Sequence, residues 1–210
     1  MAKLYFNYGT MNAGKSIELI KVAFNYEETG HHILVMKPGI DTRGEAGYIS
    51  CRMPGLERKA ILFSEEENLF QKIVRLVEES EKEGKRISAI LVDEAQFMNR
   101  QQVYQLSHVP DFLNISVLCY GLRTDAFGKA FGGSVALFEL ADVMNELITM
   151  SYHTDSKATM VYRMDENGNA IRHGETISIG GNEKYKPCSR IQFKSVMKDD
   201  TLESVMNFER

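Results

Sequence analysis

The fold is decided by the stretch Gly9-Thr10-Met11-Asn12-Ala13-Gly14-Lys15-Ser16. It follows the aromatic-rich run 3–8, which predicts a buried strand, and it precedes the run 17–24, which predicts a helix. A G-x-x-x-x-G-K-[ST] motif between a strand and a helix is the context of a phosphate-binding P-loop, whereas a chance glycine-rich turn needs neither flanking element. The stretch therefore predicts that this chain binds a nucleoside triphosphate.

The residues of this loop have distinct chemical tasks. Glycine lets successive backbone N–H groups turn toward phosphate oxygens, and the N-terminus of the helix adds a partial positive charge. Lys15 would reach the β- and γ-phosphates, and the Ser16 hydroxyl would ligate magnesium. The predicted cofactor is therefore Mg²⁺ bound together with ATP.

A second motif lies at 87–94, where an apolar run ends in the acidic pair Asp93-Glu94. This pattern is typical of a Walker B strand, and Asp93 would hold magnesium together with Ser16. Glu94 could accept a proton from the group that attacks the γ-phosphate, and such a base contributes roughly 10²–10⁴-fold. The alternative is an acidic N-cap, because a further helix is predicted to begin near Asn99.

The chain up to residue 150 alternates predicted strands and helices. Continuous apolar runs predict buried parallel strands, and spacing of three and four residues predicts amphipathic helices. Together they predict an α/β fold, a P-loop parallel sheet flanked by helices over residues 1–150. Strands are predicted at 32–36, 87–92, 115–120 and 146–150, helices at 67–84 and 134–141, and mostly loop at 45–65.

Ligands bind at the carboxyl edge of an open α/β sheet, which makes the loops after its strands candidate contacts. Asp41 and Arg43 follow the second predicted strand, and residues 121–125 follow a later one. Asp41 and Arg43 are therefore candidate substrate contacts, while a solvated polar loop remains the open alternative.

The pattern of apolar and polar residues changes after Met150. Residues 159–163 alternate like a half-exposed strand, Asn167-Gly168 predicts a turn, and 176–181 form a second extended piece. We expect a small β-rich domain at 151–195 and a polar tail at 196–210.

Composition restricts the classes of function. There are 25 Lys and Arg against 29 Asp and Glu, a net charge of −4, which offers no basic face for nucleic acid. No apolar run approaches the roughly 20 residues of a membrane span, and no signal-peptide core is recognisable at the N-terminus. The three scattered cysteines, Cys51, Cys119 and Cys188, form neither a disulfide framework nor a metal knuckle, which favours a reducing cytoplasm.

Five blocks of this sequence resemble the thymidine kinases of bacteria and of the animal cytosol. The resemblance implies transfer of the γ-phosphate of ATP to the 5′-hydroxyl of thymidine, which gives dTMP for DNA synthesis by pyrimidine salvage. The block around Asp93 joined to the block around Gly180 is the specific combination, since a P-loop alone is widespread. The matching blocks are the P-loop, Asp41-Thr42-Arg43, Val92-Asp93-Glu94-Ala95-Gln96-Phe97, Cys119 to Asp125, and Ile179-Gly180-Gly181-Asn182-Glu183-Lys184-Tyr185.

The resemblance also implies roles for individual residues. Glu94 would remove the proton from the 5′-hydroxyl. The small domain would close over the nucleoside, and Tyr185 would help to hold its lasso segment closed. ATP would contact Gly9, Thr10, Met11, Asn12, Ala13, Gly14, Lys15, Ser16, Asp93, Glu94, Ala95 and Gln96. Apolar contacts to thymine would come from Met11, Phe97, Leu122 and Phe131, and backbone contacts from Thr176, Ile177, Ser178, Ile179 and Gly180 of the lasso.

The resemblance further implies a homotetramer and feedback inhibition by dTTP, and it includes a structural zinc in the small domain. Here the implied zinc-ligand positions carry Ser151, His153 or Thr154, Ser189 and Gln192, which are a poor ligand set. We therefore expect no structural zinc.

The sequence alone leaves three alternative functions open. One is another deoxynucleoside kinase, with deoxyuridine as the nearest substrate. A second is an ATP-driven motor or a nucleotide-dependent switch, although a motor needs a basic channel and a switch needs a residue that positions water. The third is a non-catalytic ATP-binding relative, against which the intact Lys15, Ser16, Asp93 and Glu94 argue.

Overall fold

The chain folds as two compact units. The computed structural model describes residues 1–41, 45, 47–51, 55–152, 154–174 and 184–198. The first unit comprises residues 1–8, 14–123 and 131–147, and the second comprises 9–13, 124–130 and the described residues of 148–210. No helix within the described ranges has the length and apolar character that crossing a membrane requires.

A mostly parallel six-stranded sheet is the centre of the first unit, as the sequence predicts. Its strands are β1 (Leu4–Gly9), β2 (His32–Pro38), β5 (Ile61–Phe63), β6 (Ile87–Val92), β7 (Ser116–Leu122) and β8 (Val143–Leu147). The strand order is β5-β2-β6-β7-β1-β8; β2 pairs in parallel with both β5 and β6, and β6 pairs in parallel with β7.

Four helices belong to the same unit, and both faces of the sheet are covered. Alternate strand residues enter two different apolar clusters, with Leu34 and Met36 in one and Val35 in the other. This explains why the strands read as continuous apolar runs in the sequence. The helices are α1 (Lys15–Glu28), α2 (Leu69–Lys82), α3 (Arg100–His108) and α4 (Gly132–Leu140).

The sequence-based prediction of loop over 45–65 is wrong in part. An antiparallel pair forms from β3 (Tyr48–Ser50) and β4 (Glu57–Lys59), and β5 joins the central sheet beside β2. These strands have three residues each, and so short a segment shows no clear alternation of apolar and polar residues.

The predicted last strand of the core at 146–150 also needs correction. The strand of the central sheet ends at Leu147, whereas β9 (Thr149–Met150) pairs with β10 (Lys157–Ala158) in the second unit. Ile148 lies between the two strands and is 66% exposed. The apolar run in the sequence therefore spans two separate strands.

The second unit contains a helix that the sequence analysis missed. The predicted strand at 159–163 is present as β11 (Met160–Arg163), and it pairs with β12 (Tyr185–Cys188). All four residues of β11 are buried, so the predicted half-exposed character is wrong. A helix, α5 (Arg190–Lys198), continues across the boundary predicted at 195. Phe193 and Met197, one helical turn apart, are buried in the cluster that contains Met160, so their spacing was the missed signal.

Candidate active site

Ser16 and Asp93 meet at the carboxyl edge of the sheet. Ser16 is the second residue of α1, and its hydroxyl donates to Oδ2 of Asp93 at 3.1 Å. Asp93 directly follows β6, where its backbone N–H donates to the carbonyl of Met36 at 2.9 Å. The structure thus brings together the two residues that the sequence predicts as magnesium ligands.

Asp93 carries a buried oxygen that is suited to a cation. Its Oδ1 has no hydrogen-bond partner in the described part of the chain, and the residue is 4% exposed. Burial first, and then repulsion from Glu94, raise the pKa of the Asp93 carboxyl to about 7, while the Ser16 hydrogen bond and the Lys15 charge act in the opposite direction. A carboxylate and a hydroxyl are hard oxygen donors, so these residues fit Mg²⁺.

A P-loop glycine in the left-handed conformation directly precedes the first helix. Gly14 adopts φ +73° at the N-cap of α1, a conformation that glycine adopts without the penalty of a Cβ. Lys15 follows as the first residue of the helix and is only 8% exposed.

Glu94 follows Asp93 in a strained conformation. Its φ of 49° and ψ of 37° place a residue that is not glycine in the left-handed region, at a cost of about 1–3 kcal/mol. Its side chain makes no capping hydrogen bond to the following turn, Ala95–Phe97, and α3 is capped by Asn99. The alternative role of Glu94 as an acidic N-cap is therefore excluded.

The side chain of Gln96 is buried inside the protein instead of being exposed for contact with ATP. It is 2% exposed, its Nε2 donates to Oε2 of Glu94 at 2.5 Å, and its Oε1 accepts from the Leu122 N–H at 3.0 Å. The side-chain amide is therefore engaged inside the protein at both ends.

Two of the predicted thymine contacts touch each other in the first unit. The rings of Phe97 and Phe131 meet edge to face, with centroids 5.8 Å apart and planes at 80°. Leu122, at the end of β7, is half-buried, and its carbonyl accepts from the Ser134 hydroxyl at 2.5 Å. An aromatic pair of this geometry can pack against a flat heterocycle.

Two further predicted contacts lie together in the second unit. Met11 packs against the buried cluster of Ala126, Val161 and Tyr185.

Arg43 and residues 176–180 of the predicted nucleoside site lie outside the described residues, as does His153.

Asp41, a candidate substrate contact, forms an ion pair within the protein. Its Oδ2 lies 2.9 Å from Nζ of Lys37, and the two side chains are only 8% and 2% exposed. Nζ of Lys37 also donates to the carbonyl of Tyr48 at 3.1 Å, which ties β2 to β3. Lys37 was not among the residues predicted from the sequence, although a lysine at the end of an apolar strand was the available signal.

We expect Lys37→Met to destabilise the protein by about 3 kcal/mol, because it leaves the Asp41 carboxylate buried without the Lys37 charge. The double variant with Asp41→Asn should cost less than the sum of the two single changes, since it removes both charges. Urea denaturation gives these free energies. The matched control is Lys85→Met, whose exposed pair with Glu83 should contribute little. Equal effects of the two lysine substitutions would contradict this account of Lys37.

Hydrogen bonds occupy the place where the resemblance implies zinc. Oε1 of Gln192 accepts from the hydroxyl of Ser151 at 2.6 Å, from the hydroxyl of Ser189 at 3.2 Å and from the backbone N–H of Ser189 at 3.1 Å. The cluster joins positions 41 residues apart in the chain. Within the described ranges, no group of three or more His, Cys, Asp or Glu side chains could hold a metal ion.

The site combines a P-loop lysine and serine with a buried aspartate that fits Mg²⁺ and an adjacent carboxylate, all on a parallel α/β sheet. This combination is typical of P-loop nucleotide-binding proteins. Comparison with known proteins gives the particular family. The family model described as thymidine kinase matches residues 2–193. The chain belongs to the thymidine kinase family.

Individual relatives match over nearly their whole length. The thymidine kinase of Mannheimia succiniciproducens is 50% identical over 194 residues, which cover 92% of this chain and 96% of the relative. That of Idiomarina loihiensis is 46% identical over 198 residues, covering 94% and 98%. That of Vibrio vulnificus is 45% identical over 197 residues, covering 94% and 99%.

Proposed function

We propose that the protein transfers the γ-phosphate of ATP to the 5′-hydroxyl of thymidine, producing dTMP and ADP. Membership of the thymidine kinase family supports this substrate pair. The observation that carries the chemistry is the contact of Ser16 with Asp93 beside the buried carboxylate of Glu94.

The P-loop and its neighbours are proposed to bind the nucleotide. Backbone N–H groups of 9–16 and the Lys15 ammonium would contact phosphate oxygens. Ser16 and Asp93 would hold Mg²⁺, which when bound neutralises charge on the phosphates. Burial of Lys15 in the protein limits competition from water and so favours contact with an anionic ligand.

Glu94 is proposed as the base for the substrate alcohol. As the 5′-oxygen attacks the γ-phosphorus, its O–H bond breaks and the proton passes to the Glu94 carboxylate. The new O–P bond forms while the bond from the γ-phosphorus to the β–γ bridging oxygen breaks, which releases ADP. Proton removal by a placed carboxylate fits a kinase, whereas a nucleotide switch needs a group that orients water.

Apolar side chains are proposed to select the base. Phe97, Phe131 and Leu122 would contact the thymine ring, with the edge-to-face pair of phenylalanines as the main support. Met11 and Tyr185, which share one buried cluster of the second unit, are proposed as further nucleoside contacts. Backbone contacts from 176–180 are proposed from the resemblance alone.

A panel of nucleosides tests this function. With ATP and Mg²⁺, thymidine should give the highest kcat/KM, deoxyuridine should follow, and purine nucleosides should be poor substrates. A purine nucleoside as the preferred substrate would contradict the proposal.

The resemblance supports further proposals about the whole protein. We propose a homotetramer in the cytoplasm that supplies dTMP for DNA synthesis and is inhibited by dTTP. The small domain, 151–195, is proposed to close over the nucleoside. Sedimentation analysis tests the homotetramer, and inhibition assays test the effect of dTTP.

We also propose that hydrogen bonds through Gln192 hold the small domain together in place of a structural zinc. The oxygens of Ser151 and Ser189 and the amide of Gln192 are poor zinc ligands, but they satisfy one another. Elemental analysis of purified protein should therefore give far less than one zinc per chain, and chelators should leave the melting temperature unchanged. One zinc per chain, or unfolding by a chelator, would contradict this prediction.

A further inference from the structure

Gln96 connects Glu94 to the end of β7. We propose that Gln96 is a positioning residue, which fixes the Glu94 carboxylate for proton removal from the substrate alcohol. The inference rests on the proposed role of Glu94 as the base. It assigns a task to the Gln96 side chain that differs from contact with ATP.

The backbone determines which end of the Gln96 amide faces Glu94. The N–H of Leu122 is only a donor, so the atom 3.0 Å from it must be the amide oxygen. The amide nitrogen then necessarily lies toward Glu94, where it donates to Oε2 at 2.5 Å. A flipped amide would place two donors together at one end and two acceptors at the other.

The surroundings leave Gln96 little freedom to move. It is 2% exposed, and a Cβ added at Gly121 would lie only 3.0 Å from its Oε1 and 3.1 Å from its backbone N. A Cβ added at Gly133 would lie 2.9 Å from its backbone oxygen. Glycine at these two positions thus permits the close approach that holds the amide in place.

The fixed position of the Gln96 amide also restricts the Glu94 carboxylate. Glu94 has three side-chain torsions, and a base must lie within hydrogen-bond reach of the proton that it removes. A hydrogen bond from a fixed amide to Oε2 restricts those torsions and so fixes the position of the carboxylate. Displacement of a reacting group by about 1 Å can cost roughly 10²-fold in rate.

A double-mutant cycle tests the inference. Gln96→Met preserves the length of the side chain and removes the amide, and it is made both in the wild type and in Glu94→Gln. The matched control is Gln102→Met, because Gln102 is also 2% exposed and hydrogen-bonded. Its amide is bonded to the backbone of Asn99 and Ser64 instead of to Glu94. Steady-state kcat and KM for ATP and thymidine are measured on folded protein. If Gln96→Met does not fold, Gln96→Glu, which keeps an acceptor for the Leu122 N–H, takes its place.

In the wild type, the change at Gln96 should lower kcat roughly 10- to 100-fold with little change in either KM. In the Glu94→Gln background the same change should lower the residual rate by no more than about twofold to threefold. Gln102→Met should leave kcat unchanged.

An equal loss in both backgrounds, no loss in the wild type, or an equal loss in the control would each overturn the inference. If Glu94→Gln alone keeps wild-type turnover, the proposed role of Glu94 as the base is wrong. That result is distinct from the comparison of the Gln96 substitution in the two backgrounds.

Discussion

Replacing Glu94 by glutamine is expected to lower kcat by roughly 10²-fold or more, while ATP still binds. Glutamine has nearly the shape of glutamate but does not accept a proton at neutral pH. It keeps an oxygen that can accept the Gln96 hydrogen bond, so the fold of the turn should survive. The loss should therefore fall on the chemical step.

Two measurements separate this loss from a binding defect. ATP affinity by calorimetry should stay within a few-fold of the wild type, and the melting temperature should be similar. The control is Glu139→Gln, because Glu139 lies on α4 in a surface pair with Arg100. Turnover of Glu94→Gln within a few-fold of the wild type would remove Glu94 from the mechanism.

Gly133→Ala is expected to destabilise the protein by about 3 kcal/mol or more. Gly133 lies at the start of α4, and an added Cβ would lie 2.6 Å from the Met98 carbonyl oxygen and 2.7 Å from that of Ala95. These are backbone atoms, so they cannot turn away as the end of a long side chain could. Relief of the overlap would require movement of the turn that follows Glu94.

The neighbouring glycine provides a control in the same turn of helix. Gly132 is exposed, and a Cβ there would meet nothing within 4 Å. Gly132→Ala should be neutral or stabilise the protein by roughly 0.4–1 kcal/mol, because alanine restricts the unfolded chain. Urea denaturation of both variants gives the comparison. Equal stability of the two variants would show that α4 can move away from the turn without cost.

Much of the central sheet, and the proximity of Ser16 to Asp93, could be predicted from the sequence because their signals are local. The strand before Asp93 is a continuous apolar run that ends in two carboxylates, and the P-loop motif lies between a strand and a helix. In an open parallel sheet, ligands bind at the carboxyl ends of the strands, so the topology of the sheet indicates where the site residues lie. The P-loop motif and the acidic pair each follow a strand at the carboxyl edge of the sheet, which explains why Ser16 contacts Asp93.

The remaining features depend on contacts between distant parts of the chain. Gln96 appears in the sequence as part of a nucleotide-binding block, and only the fold reveals that the Leu122 N–H orients its amide. The Lys37–Asp41 pair is close in the chain, but its burial depends on β2 and β3. The close approach at Gly133 likewise comes from packing of α4 on a remote turn.

Transfer of a phosphoryl group to a nucleoside alcohol is tested most directly by ³¹P NMR of the reaction with ATP, Mg²⁺ and thymidine. The expected result is one ADP and one thymidine 5′-monophosphate for each ATP consumed, with no consumption when 5′-deoxythymidine replaces thymidine. Release of inorganic phosphate without a phosphorylated nucleoside, or phosphate on the 3′-hydroxyl, would contradict the account.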